Sequence, residues 1–94
     1  MILTVKFIGA FRSASGKNKF TLKFENTILL REVVKKIVEE LPKLKRMLID
    51  PELGDPRPNT LVLVNGKEIS VLNGLDTILR NEDEVVFVPV VHGG

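Results

Sequence analysis

The chain predicts an α+β fold, in which one main helix covers one face of a mixed sheet of about four to five strands. Three observations carry this: apolar residues alternate with polar ones in two stretches near the start, the period changes once to that of a helix, and turn-forming residues bound short apolar runs after it. The alternation is clearest in Leu3, Val5 and Phe7, which take turns with Thr4 and Lys6 as in a half-buried strand. Arg12 to Asn18, with Gly16 inside it, reads as a connecting loop. Phe20, Leu22 and Phe24 then alternate with Thr21, Lys23 and Glu25, a second strand returning beside the first as a hairpin.

The helix follows. Leu30, Val33, Val34, Ile37, Val38 and Leu41 fall on one side of a 3.6-residue repeat, and Arg31, Glu32, Lys35, Lys36, Glu39 and Glu40 fall on the other. Glu32 and Lys36 have the favourable i,i+4 order. Thr27 is the nearby candidate for an N-cap, because Leu29 has no oxygen to offer the first turn, and Pro42 sets the end. Lys43 to Leu48 reads as a short helical turn, and Asp50 to Asn59, with three prolines and Gly54, as the longest loop. Leu61 to Val64 is a strand, Asn65-Gly66 a tight turn, Lys67 to Ser70 the returning strand, and Leu72 to Leu79 an irregular connection. Val85 to Val90 is the last strand. Strand pair, helix, strand pair and terminal strand, joined by a right-handed crossover, place the last strand parallel to the first in the middle of one sheet. That arrangement is the β-grasp.

Composition narrows the function. Ninety-four residues with 44% hydrophobic content fit one domain, 1–94. No stretch approaches the roughly 18 apolar residues that span a bilayer, so we expect a soluble, cytoplasmic protein without a membrane partner. Cysteine is absent and His92 is the only histidine, which removes thiol catalysis and leaves no expected metal site. The net charge of +2 is spread among acids, and neither Trp nor Tyr is present for base stacking, so no nucleic-acid partner is expected. No catalytic triad and no phosphate-binding glycine loop is found, so the chain reads as no enzyme and as binding no cofactor of its own.

The last strand, VVFVPV, is apolar on both faces, and Leu61 to Val64 likewise. A sheet with a helix on one side only should be polar on the other, so these residues predict either a partner surface or cover from loops and from Lys43 to Leu48. Pro89 donates no ladder hydrogen bond, and we expect the chain to leave the sheet there as a flexible tail over residues 89–94. Gly93-Gly94 closes the sequence. Two residues without side chains can enter a slot that any Cβ would block, which makes the Gly94 carboxylate the candidate reactive group and Gly93 and His92 the segment that threads. Phe11, Arg12, Ile8, Val88 and Val90 are the candidate docking residues, Arg12 by virtue of its planar, bidentate guanidinium.

VKFIGAFRSASG, LVNGKEI and NGLDTILRNEDEVVFVPVVHGG together resemble the MoaD/ThiS sulfur-carrier superfamily of ubiquitin-like proteins over nearly the whole chain. The resemblance implies that an adenylating, ubiquitin-activating-like enzyme uses ATP to couple Gly94 to AMP. A sulfur donor such as a cysteine desulfurase or rhodanese then forms a thiocarboxylate. MoaD-type tails commonly run Pro-Pro-Val before the diglycine, whereas Pro89, Val90, Val91 and His92 stand here, and His-Gly-Gly is more similar to ubiquitin-related modifiers. Three readings follow. The first is the small subunit of a molybdopterin synthase, delivering sulfur inside a MoaE-like large subunit. The second is a modifier joined through Gly94 to lysines, or a sulfur carrier for tRNA thiolation. The third is a non-covalent interaction domain.

Overall fold

The computed structural model describes residues 1–90. In chain order the elements are β1 (Ile2–Phe7), α1 (Ala10–Ser15), β2 (Lys19–Lys23), β3 (Ile28–Leu29), α2 (Leu30–Glu40), a 3-10 turn (Pro42–Leu44), α3 (Lys45–Leu48), β4 (Thr60–Val64), β5 (Lys67–Glu68), β6 (Ile78–Leu79) and β7 (Glu84–Pro89). Five strands form one sheet in the order β2-β1-β7-β4-β5, and β3 pairs with β6 separately. β7 runs parallel to β1 and antiparallel to β4, in the centre, as the β-grasp requires.

The period-2 pattern explains the burial. Leu3, Val5, Phe7, Val62, Val85 and Phe87 point to the helical side and are at most 1% exposed. There they meet Leu30, Val33, Val34 and Ile37 of α2, so the apolar stripe of the helix closes one face of the sheet. Phe7 lies in the middle, its ring 5.5 Å from that of Phe20 and 6.0 Å from that of Phe87. Leu44 and Leu48 join the same core, and the Thr60 hydroxyl donates to the Leu48 carbonyl at 3.2 Å. The Lys43–Leu48 segment therefore packs with α2 and does not cover the opposite face.

Several local expectations are corrected. The segment after β1 is not a loop throughout but contains α1, which starts at Gly9 and ends in a left-handed Gly16, whose N–H donates to the Arg12 carbonyl. α2 takes Leu29, not Thr27, at its N-cap position. The Leu30 N–H donates to the Thr77 carbonyl at 2.9 Å, so a distant loop supplies the acceptor that a capping side chain provides elsewhere. Lys36 pairs with Glu40 at 3.6 Å, and Glu32 with Lys35 at 3.5 Å, in place of the anticipated Glu32–Lys36 pair. The returning strand after Asn65-Gly66 lasts only two residues before a 3-10 turn at Ile69–Val71.

Candidate functional site

The carboxyl end of β7 is held from both sides. Toward β1, the Ile8 N–H donates to the Phe87 carbonyl at 3.1 Å; toward β4, the Val90 N–H donates to the Asn59 carbonyl at 3.0 Å. Pro89 itself is paired opposite Thr60. The sheet thus extends through Pro89 to Val90, and the expected departure at Pro89 is corrected. Proline lacks an N–H, but its fixed backbone angle suits an extended strand, and the residue after it resumes the ladder. Residues 91–94 lie outside the described residues. Four residues beyond Val90 span at most about 13 Å at roughly 3.3 Å each, against about 20 Å for six.

Asn59 is placed by the loop before β4. The Asp50 carboxylate accepts the N–H groups of Glu52 and Leu53, and the Asp55 carboxylate accepts the N–H of Arg57 at 2.8 Å. The Arg57 guanidinium also donates to Asp55, its Nε at 3.0 Å. That side-chain hydrogen bond holds the Asp55 carboxyl below its ordinary value, burial opposing it, and raises the Arg57 guanidinium in return. The Asn59 N–H then closes the turn onto the Pro56 carbonyl at 3.0 Å. A proline-rich stretch with no regular element becomes a fixed anchor because two aspartates cap it internally.

The sheet face away from α2 carries a band of half-buried aliphatic side chains. The register sets Leu61 opposite Val88 and Leu63 opposite Val86, and alternation puts all four on the open side. Ile8 and Val90, 44% and 41% exposed, extend the band to the end where the chain leaves the sheet. Lys6 lies beside it, paired with Glu84 at 2.9 Å, and Lys19 and Lys23 flank it on β2. Among the described residues no helix covers this band. The open face is thus an apolar strip with a charged border that ends at Val90.

The sequence profile of the ThiS family matches residues 5–94. The chain belongs to that family. Small archaeal modifier protein 3 of Haloferax volcanii is 30% identical over 94 residues, with all of both chains covered. Ubiquitin-related modifier 1 homolog 1 of Arabidopsis thaliana is 32% identical over 83 residues, covering 87% of this chain and 72% of that one. The solution structure of small archaeal modifier protein 1 from Methanosarcina acetivorans matches with a TM-score of 0.81 at 29% identity, covering 99% of this chain and 96% of the other. This chain therefore belongs to a family of small ubiquitin-like carrier and modifier proteins, which are non-catalytic.

The structure gives a position to those anticipated site residues that lie within 1–90. Ile8, Val88 and Val90 come together on the open face of the ThiS-family sheet. Phe11 does not: it is 1% exposed and part of the core, because α1 turns that side chain inward, so its anticipated place on a docking surface is corrected. Arg12 is exposed on α1, outside the aliphatic band, and forms no ion pair among the described residues. His92, Gly93 and Gly94 lie outside the described residues. Sequence reasoning missed two groups, Gly9 and Asn59. The first had a legible signal, a glycine at the end of a strand pattern. Asn59 acts through its backbone carbonyl, which no residue type announces.

Proposed function

We propose that the Gly94 carboxylate is the group this protein carries, activated by a separate adenylating enzyme that docks on the band formed by Leu61, Leu63, Val86, Val88, Ile8 and Val90. The observation that carries this is a strand anchored at Val90, four positions before Gly94 in the sequence, at the end of an apolar face that α2 leaves open. A carboxylate is an anion at neutral pH and resists nucleophiles. ATP supplies the leaving group: the carboxylate attacks the α-phosphate, an acyl–AMP anhydride forms and pyrophosphate departs. A persulfide on a donor such as a cysteine desulfurase or rhodanese attacks the acyl carbon and expels AMP. A thiol then attacks the donor-side sulfur of the resulting acyl disulfide, leaving the thiocarboxylate on Gly94 and a disulfide on the donor. A lysine amine attacking the same activated carbon yields an isopeptide bond.

Of the destinations, conjugation to lysines or sulfur supply for tRNA thiolation is favoured by the likeness to archaeal and ubiquitin-related modifiers over 100% and 87% of this chain and by the His-Gly-Gly ending. Delivery into a MoaE-like subunit for molybdopterin is the second reading, supported by the LVNG and GLDT segments. Intact mass after incubation with ATP, the activating enzyme and a sulfur donor tests the proposal. We expect a gain equal to one sulfur in place of one oxygen, abolished by deletion of Gly94 with thermal stability unchanged. A deletion variant that still acquires the sulfur sinks it. Larger adducts containing the tail then separate conjugation from delivery.

A further inference from the structure

Gly9 lies two residues beyond β1, caps the start of α1 and stands beside the end of β7. Its φ of 59° and ψ of −130° form a combination that residues bearing a Cβ avoid. Its carbonyl accepts the N–H groups of Arg12 at 3.0 Å and Ser13 at 3.3 Å, which begins the helix. On its other side lies Pro89: a Cβ placed on Gly9 would stand 3.3 Å from Cγ of that ring and 3.7 Å from Cδ. The ring thus sits over the space that a Cβ on Gly9 would need.

The ring matters because of the hydrogen bond it replaces. In a parallel ladder the Ile8 N–H bonds to the Phe87 carbonyl, and an N–H at position 89 would bond next to the Ile8 carbonyl. Proline has none, so the β1 side of β7 ends in a contact between ring and glycine while the β4 side continues to Val90. The last described residues are therefore held by a hydrogen bond on one side and flanked on the other by a glycine that leaves room for the ring and little more. From this geometry we infer that Gly9 is a positioning residue for the carried group: by leaving room for Pro89, it sets the backbone of Val90, the last described residue before that group. The inference rests on the carrier function proposed above.

A double-mutant cycle on the full chain tests it, read by two measurements. The first is the KM and kcat of pyrophosphate release with the activating enzyme and ATP. The second is amide hydrogen exchange at Val90 by NMR, which needs no partner. Gly9→Ala pushes the ring outward, and we expect KM to rise about tenfold with kcat changed less, since misdirection of a reacting group by a fraction of an ångström is costly. Val90 should exchange faster. In the Pro89→Ala background, where the crowded Cγ is absent, Gly9→Ala should raise KM less than half as much, whereas the cost to folding of the positive φ should persist. Equal effects of Gly9→Ala in both backgrounds, or an unchanged KM and Val90 exchange in folded Gly9→Ala, overturn the inference. Should Gly9→Ala not fold, Pro89→Ala alone decides: it permits one more bond onto Ile8, re-aims the segment and should raise KM severalfold, and an unchanged KM overturns the idea. Wild-type protein that releases no pyrophosphate removes the carrier reading instead, and the Val90 exchange rates then judge the seat by themselves.

Discussion

The two faces of β7 are built from the same residue types and do different things. Val85 and Phe87 are fully buried against the helix side, while Val86 and Val88, their immediate neighbours in the chain, are half-buried on the open side. Valine stands on both faces, so composition alone does not tell fold from docking surface. What separates them is parity: one face has a helix opposite it and the other has none among the described residues. A strand apolar on both sides beneath a single helix is thus the feature on which the proposed docking face rests.

The sharpest way to break this comparison is to truncate one residue on each face. Phe87→Ala removes a ring that lies 6.0 Å from Phe7 and should destabilise the protein by about 3–5 kcal/mol. Val86→Ala, one position away, should cost about 1 kcal/mol or less. Urea denaturation measures both, and similar losses would mean that the open face is as much a part of the core as the closed one.

Binding should show the reverse order. Val88→Asp places a charge in the middle of the aliphatic band, where it must be desolvated when a partner docks. We expect affinity for the activating enzyme to fall at least about tenfold, or about 1.4 kcal/mol. Folding stability should fall less than for Phe87→Ala, because the side chain is only half-buried in the free protein. Titration calorimetry on the folded variant decides this, and undiminished affinity would remove the band as the dock.

Much of this contrast was legible in the sequence, for reasons that particular residues make plain. Leu3, Val5, Phe7 and the stripe from Leu30 to Ile37 declare their periods because burial on one side is their whole purpose, and the strand order follows from the crossover rule. The same alternation puts Ile8, Val88 and Val90 on the face away from the helix. Phe11 misled because an aromatic residue in a presumed loop gives no sign that the loop will coil into α1 and turn it inward. The start of α2 was hidden because the acceptor for Leu30 is a backbone carbonyl at Thr77. Anchorage of Val90 was hidden likewise, since it depends on where a loop carries the carbonyl of Asn59. Groups that work through the main chain leave little trace in residue type.

The smallest effect concerns that loop, where the two faces meet at the exit of β7. Arg57 holds the Asp55 carboxyl below its ordinary value by side-chain hydrogen bonding. A carboxylate depressed in the folded state stabilises it above the unfolded-state value, and that contribution is lost as pH falls through the folded value. The window therefore opens at about pH 4 and extends downward. With side-chain exposures of 19% for Asp55 and 55% for Arg57, solvent screening keeps the contribution under about 1 kcal/mol. Arg57→Ala should accordingly lower the urea midpoint slightly at neutral pH, and the gap to wild type should close as the solution is acidified through that window. Because Asp55 and Arg57 lie in the turn that presents Asn59, the variant should also speed Val90 amide exchange while leaving Val85, deep in the sheet, unaffected. A gap that stays constant with pH would show that Arg57 acts through packing, and unaltered Val90 exchange would detach the loop from the anchor of the strand.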